Sequence, residues 1–201
     1  TGTFQQMFDN CRNLGFNDSD TTNFGSSWGP NLGAVTNFSS TFSDIGGDTP
    51  GANPPNVSDW DMSGATTISN MFEDAEWTTG NLDVSTWDVS SVTGTGMINV
   101  FYNNNSGEEV DTSNWEIPNT VTSMGGFLRN SAPTAIDFSD ANCDFSNVTT
   151  FTHFGYAASF TRFILHASSD FSSVTGTAFS NFWPASGYAT VVTSDYDALL
   201  L

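Results

Sequence analysis

The chain has 201 residues, in which 22 Asp and Glu stand against 3 Lys and Arg, giving a formal net charge of −19. A field of that sign repels nucleic acid and anionic lipid, so neither is expected as a partner, while cations and neutral polar surfaces remain. No apolar run approaches the roughly 20 residues that span a bilayer, so no membrane insertion is expected. Two cysteines make no disulfide framework.

Along the chain, one pattern recurs. Thr1-Gly2-Thr3 matches Thr93-Gly94-Thr95 and Thr175-Gly176-Thr177, so the chain opens one residue inside a repeat. Boundaries follow at Val35-Thr36, Ala65-Thr66, Val92-Thr93, Val121-Thr122, Val148-Thr149 and Val174-Thr175, spaced 30, 27, 29, 27 and 26 residues. They divide residues 1–201 into seven units: 1–34, 35–64, 65–91, 92–120, 121–147, 148–173 and 174–201. Self-similarity at such a period dictates an array of stacked supersecondary units.

The first half of each unit carries two large apolar residues four positions apart: Phe4 and Phe8, Phe38 and Phe42, Ile68 and Phe72, Met97 and Phe101, Met124 and Leu128. That spacing predicts one or two helical turns with a single apolar face. In the last two units the spacing falls to three, Phe151 to Phe154 and Phe179 to Phe182, which a 3₁₀ turn accommodates. The residues between are Ser, Asn, Gly and Thr, so stacking and not propensity must hold these turns.

The second half alternates, as in Leu82-Asp83-Val84-Ser85 and Ile136-Asp137-Phe138-Ser139, which predicts a short strand. One strand and one short helix per unit give an α/β solenoid. Its short parallel strands line one side, with short helices or 3₁₀ turns on the other, as in a leucine-rich-repeat-like coil.

The string Leu-Asp-Val-Ser-x-Trp-Asp-Val-Ser of residues 82–90, preceded by Val-Thr boundaries and Met/Ile/Phe-x-x-Met-Phe segments, resembles the bacterial surface protein repeat. This is a leucine-rich-like family of about 25 residues per unit, related to the BspA-like cell-surface repeats. Phe8-x-x-Cys11-x-x-Leu14 is similar to an element of the latter. The likeness is strongest over residues 65–121. It implies a surface-displayed recognition or adhesion array without general catalytic activity; the expected location is extracellular, at a cell or virion surface, and the expected partner a protein or carbohydrate surface. It transfers no functional residues.

Trp28, Trp60, Trp87 and Trp115 recur once per unit, with Cys143 and then Ser169 in the same place, and the simplest reading is a stacked internal column. Trp77 and Trp183 lie outside it, and Trp77 is the better candidate for an exposed contact residue. Asp61, Asp88, Glu116, Asp144 and Asp170 follow the column by one residue. Each can accept from an N–H two residues on and close the turn into the next unit. The sharper alternative is a ladder binding a divalent cation between stacked carboxylates.

His153 and His166 lack partners at metal-ligand spacing, and no strained nucleophile with a base is visible, so neither a zinc site nor an enzyme is expected. The alternative function is a structural assembly protein, such as a phage or virus decoration or fibre protein or a filament subunit. Phe4 and Phe8 in the first unit and Phe182 and Trp183 in the last have no outer unit to cover them, which suggests that copies of the chain or a scaffold pack at the ends.

Overall fold

The computed structural model of the chain describes residues 2–14, 29–48, 53–77, 80–104, 110–133, 135–159, 162–166, 169–175, 177, 180, 182 and 190–191. Among them are seven short strands: β1 (Gly2–Thr3), β2 (Val35–Asn37), β3 (Leu82–Asp83), β4 (Val110–Asp111), β5 (Ala135–Phe138), β6 (Arg162–Leu165) and β7 (Thr190–Val191). All pairings are parallel: β1 with β2, β3 with β4, and β5, β6, β7 in that order. Leu82 pairs with Val110, Ala135 with Arg162 and Arg162 with Thr190, so each strand lies beside its own counterpart one unit further on. Parallel neighbours need a crossover between them, and the remainder of each unit supplies it.

The Val-Thr boundaries form a second ribbon. Asn37 bridges Thr67, Gly94 bridges Val121 and Ser123 bridges Thr150, all parallel. Thr66, Thr93 and Thr149 donate their N–H groups to Thr36, Thr66 and Thr122, each one unit back. The register of the repeat, read from these residues, is therefore carried by backbone hydrogen bonds from unit to unit.

Where the four-residue spacing of large apolar residues predicts helical turns, the structure has tandem β-turns. Met7 N–H donates to Phe4 C=O and Cys11 to Phe8, and the same closures occur at Thr41 to Phe38 and Met71 to Ile68. The third residue of each turn takes a positive φ: Gln6 and Asn10, Ser40 and Asp44, Asn70 and Asp74, Asn99 and Asn103, Gly126 and Asn130, His153 and Ala157. A helix cannot contain such residues.

The reason lies in where the alternate amides go. Phe38, Ser40, Phe42 and Asp44 donate to Thr67, Ser69, Met71 and Glu73, and Ile68, Asn70, Phe72 and Asp74 donate to Gly96, Ile98, Val100 and Tyr102. Every second N–H thus bonds the next unit, as in a parallel ladder, while intervening ones close the turns. Asn and Asp tolerate the left-handed region better than most residues, and they fill most of these positions. A 3₁₀ helix, Gly29–Ala34, lies instead directly before β2.

The strand half is also shorter than its alternation predicts. After β3 the buried residues fall at Leu82, Val84, Trp87, Val89 and Val92, a rhythm of two and three and not of two. Trp87 N–H donates to Val84 C=O and Val92 to Val89, so two further turns follow the ladder. Some junctions demand glycine. A Cβ on Gly64 would lie 2.1 Å from the Gly33 carbonyl oxygen of the preceding unit.

Inside these ribbons runs an aromatic core. Phe8, Phe42, Phe72 and Phe101 stack face to face at centroid distances of 5.4, 5.6 and 5.6 Å. The column then changes place. Phe101 meets Phe127 edge-on, and Phe127, Phe154 and Phe182 continue the stack. The backbone does not shift there, because Gly126 and Asn130, like His153 and Ala157, keep their four-residue spacing of positive φ. The shortened spacing of Phe151 and Phe154 therefore reflects an aromatic moved one place along an unchanged turn, with Gly155 left at the original position.

Phe182 is buried against Phe151, Phe154 and Phe163, contrary to the expectation that it lies uncovered. Phe4 and Phe8 are half-buried against the core, while Trp28 and Trp183 lie outside the described residues.

Candidate recognition surface

Trp60, Trp87, Trp115 and Cys143 form the internal column, all buried. Trp87 Nε1 donates to Val57 C=O at 2.9 Å and Trp115 Nε1 to Val84 C=O at 2.7 Å, each carbonyl one unit back. Cys143 Sγ also bonds a carbonyl one unit back, but a different one: that of Trp115 itself at 2.8 Å, where the indoles reach the residue three positions before the column. Burial pushes the Cys143 thiol up to about 11. Cys11 is exposed and both cysteines are free.

The acidic residues that follow the column act as turn closers. Asp61 Oδ1 accepts from the N–H and hydroxyl of Ser63, and Asp88, Asp144 and Asp170 accept from the N–H groups of Ser90, Ser146 and Ser172. That hydrogen bond from Ser172 holds the Asp170 carboxyl below its ordinary range. Glu116 is one methylene longer and accepts instead from the Asn142 side chain of the next unit.

A parallel set sits on the other side of the column: Asp83 with Ser85, Asp111 with Ser113 and Asp137 with Ser139. The unit of residues 65–91 thus presents two Asp-x-Ser turns, Asp83 and Asp88, flanking the buried indole of Trp87. Among the described residues no three His, Cys, Asp or Glu side chains come together to hold a metal ion. Between two units this surface opens into a groove of about 500 Å³, walled by Ser85, Thr86, Asp88, Ser90, Asn114 and Glu116, with Trp87 and Val89 in its floor.

Trp77 is not an exposed contact residue. It is 1% exposed and packs edge-on against Phe72 at 6.1 Å, and its Nε1 finds no hydrogen-bond partner among the described residues. A single indole outside the periodic column reads as a surface residue, yet it closes the core where the turn segment ends at Ala75.

The opposite, turn-bearing face carries features that the one-dimensional reading missed. Arg12 reaches one unit forward and pairs with Asp44 at 2.6 Å and Asp48 at 3.2 Å. Glu73 is half-buried, and desolvation raises its carboxyl above the usual range while a hydrogen bond from Asn70 opposes the shift. Tyr102, Arg129 and Tyr156 lie in successive units at one place on the turn, with the Arg129 guanidinium carbon 5.4 Å and 5.8 Å from the two ring centroids. Their equal separation of 27 residues, visible once the units are aligned, is the signal that could have found them. His153 packs edge-on to Tyr156.

These features define a repeat protein whose units pair in parallel through backbone ladders, with most of the described aromatic residues inside and an acidic Ser/Thr/Asn surface outside. The chain belongs to the family described as Mycoplasma protein of unknown function, DUF285, which matches residues 36–167. No curated protein and no solved structure matches it. No helix among the described residues is long and apolar enough to cross a membrane.

Proposed function

We propose that the units wind as an α/β solenoid whose helical side is replaced by tandem turns, and that it serves as a non-catalytic recognition or adhesion module at an extracellular surface. The observation that carries this reading is the division of labour within each repeat. Large apolar side chains and the column's indole N–H groups are spent inside, unit on unit, while the outward corners repeat Asp, Ser and Asn chemistry along much of the stack. A rigid surface repeated at a fixed spacing suits extended protein or carbohydrate ligands better than a single reacting group. The groove over Trp87 offers hydroxyl, amide and carboxylate groups that can bond sugar hydroxyls or peptide amides. The likeness of residues 82–90 to bacterial surface protein repeats points the same way.

The test is to apply the purified chain to arrays of glycans and extracellular proteins while imaging it by electron microscopy. Saturable binding by dispersed single particles is expected. Ordered fibres or rings with no binding to any arrayed surface would replace this reading with that of an assembly protein.

A further inference from the structure

The chain holds three cations, Arg12, Arg129 and Arg162. Arg12 behaves as an acidic chain dictates and takes two carboxylates. Arg129 does not. Among the described residues it makes no ion pair, although the chain has 22 acidic residues to offer. Its guanidinium is held between the rings of Tyr102 and Tyr156, and its Nε is buried with no described hydrogen-bond partner. The backbone ladder places Glu73 next to Tyr102, because Asp74 N–H bonds the Tyr102 carbonyl, so the unit of Tyr102 lies between Glu73 and Arg129. The arrangement holds a cation that has no acidic partner among the described residues.

We infer that Tyr102, Arg129 and Tyr156 form a binding site for the carboxylate of a sugar acid, such as a hexuronic acid residue of a glycan. Two rings confine the guanidinium without neutralising it. The planar fork then matches a carboxylate with two parallel hydrogen bonds, a geometry that an ammonium group does not offer. The phenol hydroxyls can donate to or accept from the sugar's own hydroxyls. Asn130, on the same turn as Arg129, adds an amide to a polar surround suited to a sugar ring, while the Asn103 amide is committed to Asp74. The net charge of −19 disfavours a densely charged polyanion and favours isolated carboxylates on an otherwise neutral chain. This inference rests on the recognition reading above and names its ligand.

The test uses ¹H–¹⁵N NMR of the whole chain titrated with methyl galacturonoside, with its neutral methyl ester and with a tetrapeptide bearing a free C-terminus. Saturable shifts at the amides of residues 102, 129 and 156 are expected with the acid. Affinity should fall about tenfold or more for the ester and for Arg129→Gln. Arg129→Lys, which keeps the charge and loses the fork, should also bind more weakly, and it serves if Arg129→Gln melts early. Absence of any saturable shift with the acid at about 20 mM overturns the site, since even a millimolar complex would saturate there. Equal binding of acid and ester also overturns it, and stronger binding of the peptide overturns the sugar assignment. Array binding that persists unchanged in Arg129→Gln would sink this inference and leave the recognition reading standing.

Discussion

Trp87→Ala is the most direct probe of how the units are held together. The side chain is 2% exposed, stacks on Trp115 at 6.4 Å and Phe72 at 6.1 Å, and donates to the Val57 carbonyl. Truncating a buried aromatic costs about 3–5 kcal/mol in transfer and cavity terms. The Val57 carbonyl, left buried without its donor, adds about 1 kcal/mol or more. The sum, about 5 kcal/mol, is comparable with the whole stability of a typical domain. With a denaturant slope of about 2 kcal/mol/M, the urea midpoint followed by circular dichroism should drop by about 2.5 M, or the variant should be unfolded without urea. A drop below about 0.5 M would show that the column does not couple the units. Substitution by Phe separates the two terms. Trp87→Phe loses the carbonyl's donor and should cost more than Trp77→Phe, whose indole N–H has no described partner to lose.

Three further perturbations follow from particular contacts. A thiol reagent at pH 8 should modify Cys11 in the native chain and spare Cys143 until urea is added, because burial raises the latter to about 11; two equivalents of rapid labelling in the native state would contradict the buried column. Glu73 binds its proton more tightly folded than unfolded, so its contribution to stability falls as pH rises from the ordinary carboxyl range through the raised folded value. Glu73→Gln should therefore raise the melting temperature at pH 7 and remove that part of the pH dependence, which melting curves between pH 4 and pH 8 will show. Gly64→Ala forces a methyl to within 2.1 Å of the Gly33 carbonyl oxygen and should lower the melting temperature more than Gly94→Ala, which meets nothing within 4 Å and carries only the strain of its left-handed φ of 57°.

The repeat, its register and the capping role of the aspartates were legible because each leaves a chemical mark at a fixed period. Val-Thr at the boundaries and Asp-x-Ser at the corners are such marks, and the structure pairs them as the spacing implies. The turn face was misread because a four-residue spacing of apolar residues is common to a helix and to tandem β-turns. What separates the two is the third residue. Asn10, Asn70, Asn99, Asn103 and Asn130 occupy positions where a helix former would stand, and their left-handed φ excludes a helix. Trp77 was misplaced for a different reason, since periodicity says nothing of a residue that occurs once. The Tyr102–Arg129–Tyr156 stack was hidden by type, because the alignment that reveals it sets unlike residues in one column.

The tandem turns have a mechanical consequence. Their alternate amides run from unit to unit, so a pull along the stack loads all the bonds at one junction together, while neighbouring junctions share the same tension. Such a junction holds until it fails as a whole, and its failure frees one entire unit. With 27 residues between paired positions such as Gly94 and Val121, each failure would lengthen the tether by roughly 90 Å. A chain anchored at one surface and gripping another would then yield in discrete steps, dissipating work at each one and keeping its remaining contacts, instead of parting at the first strong tug.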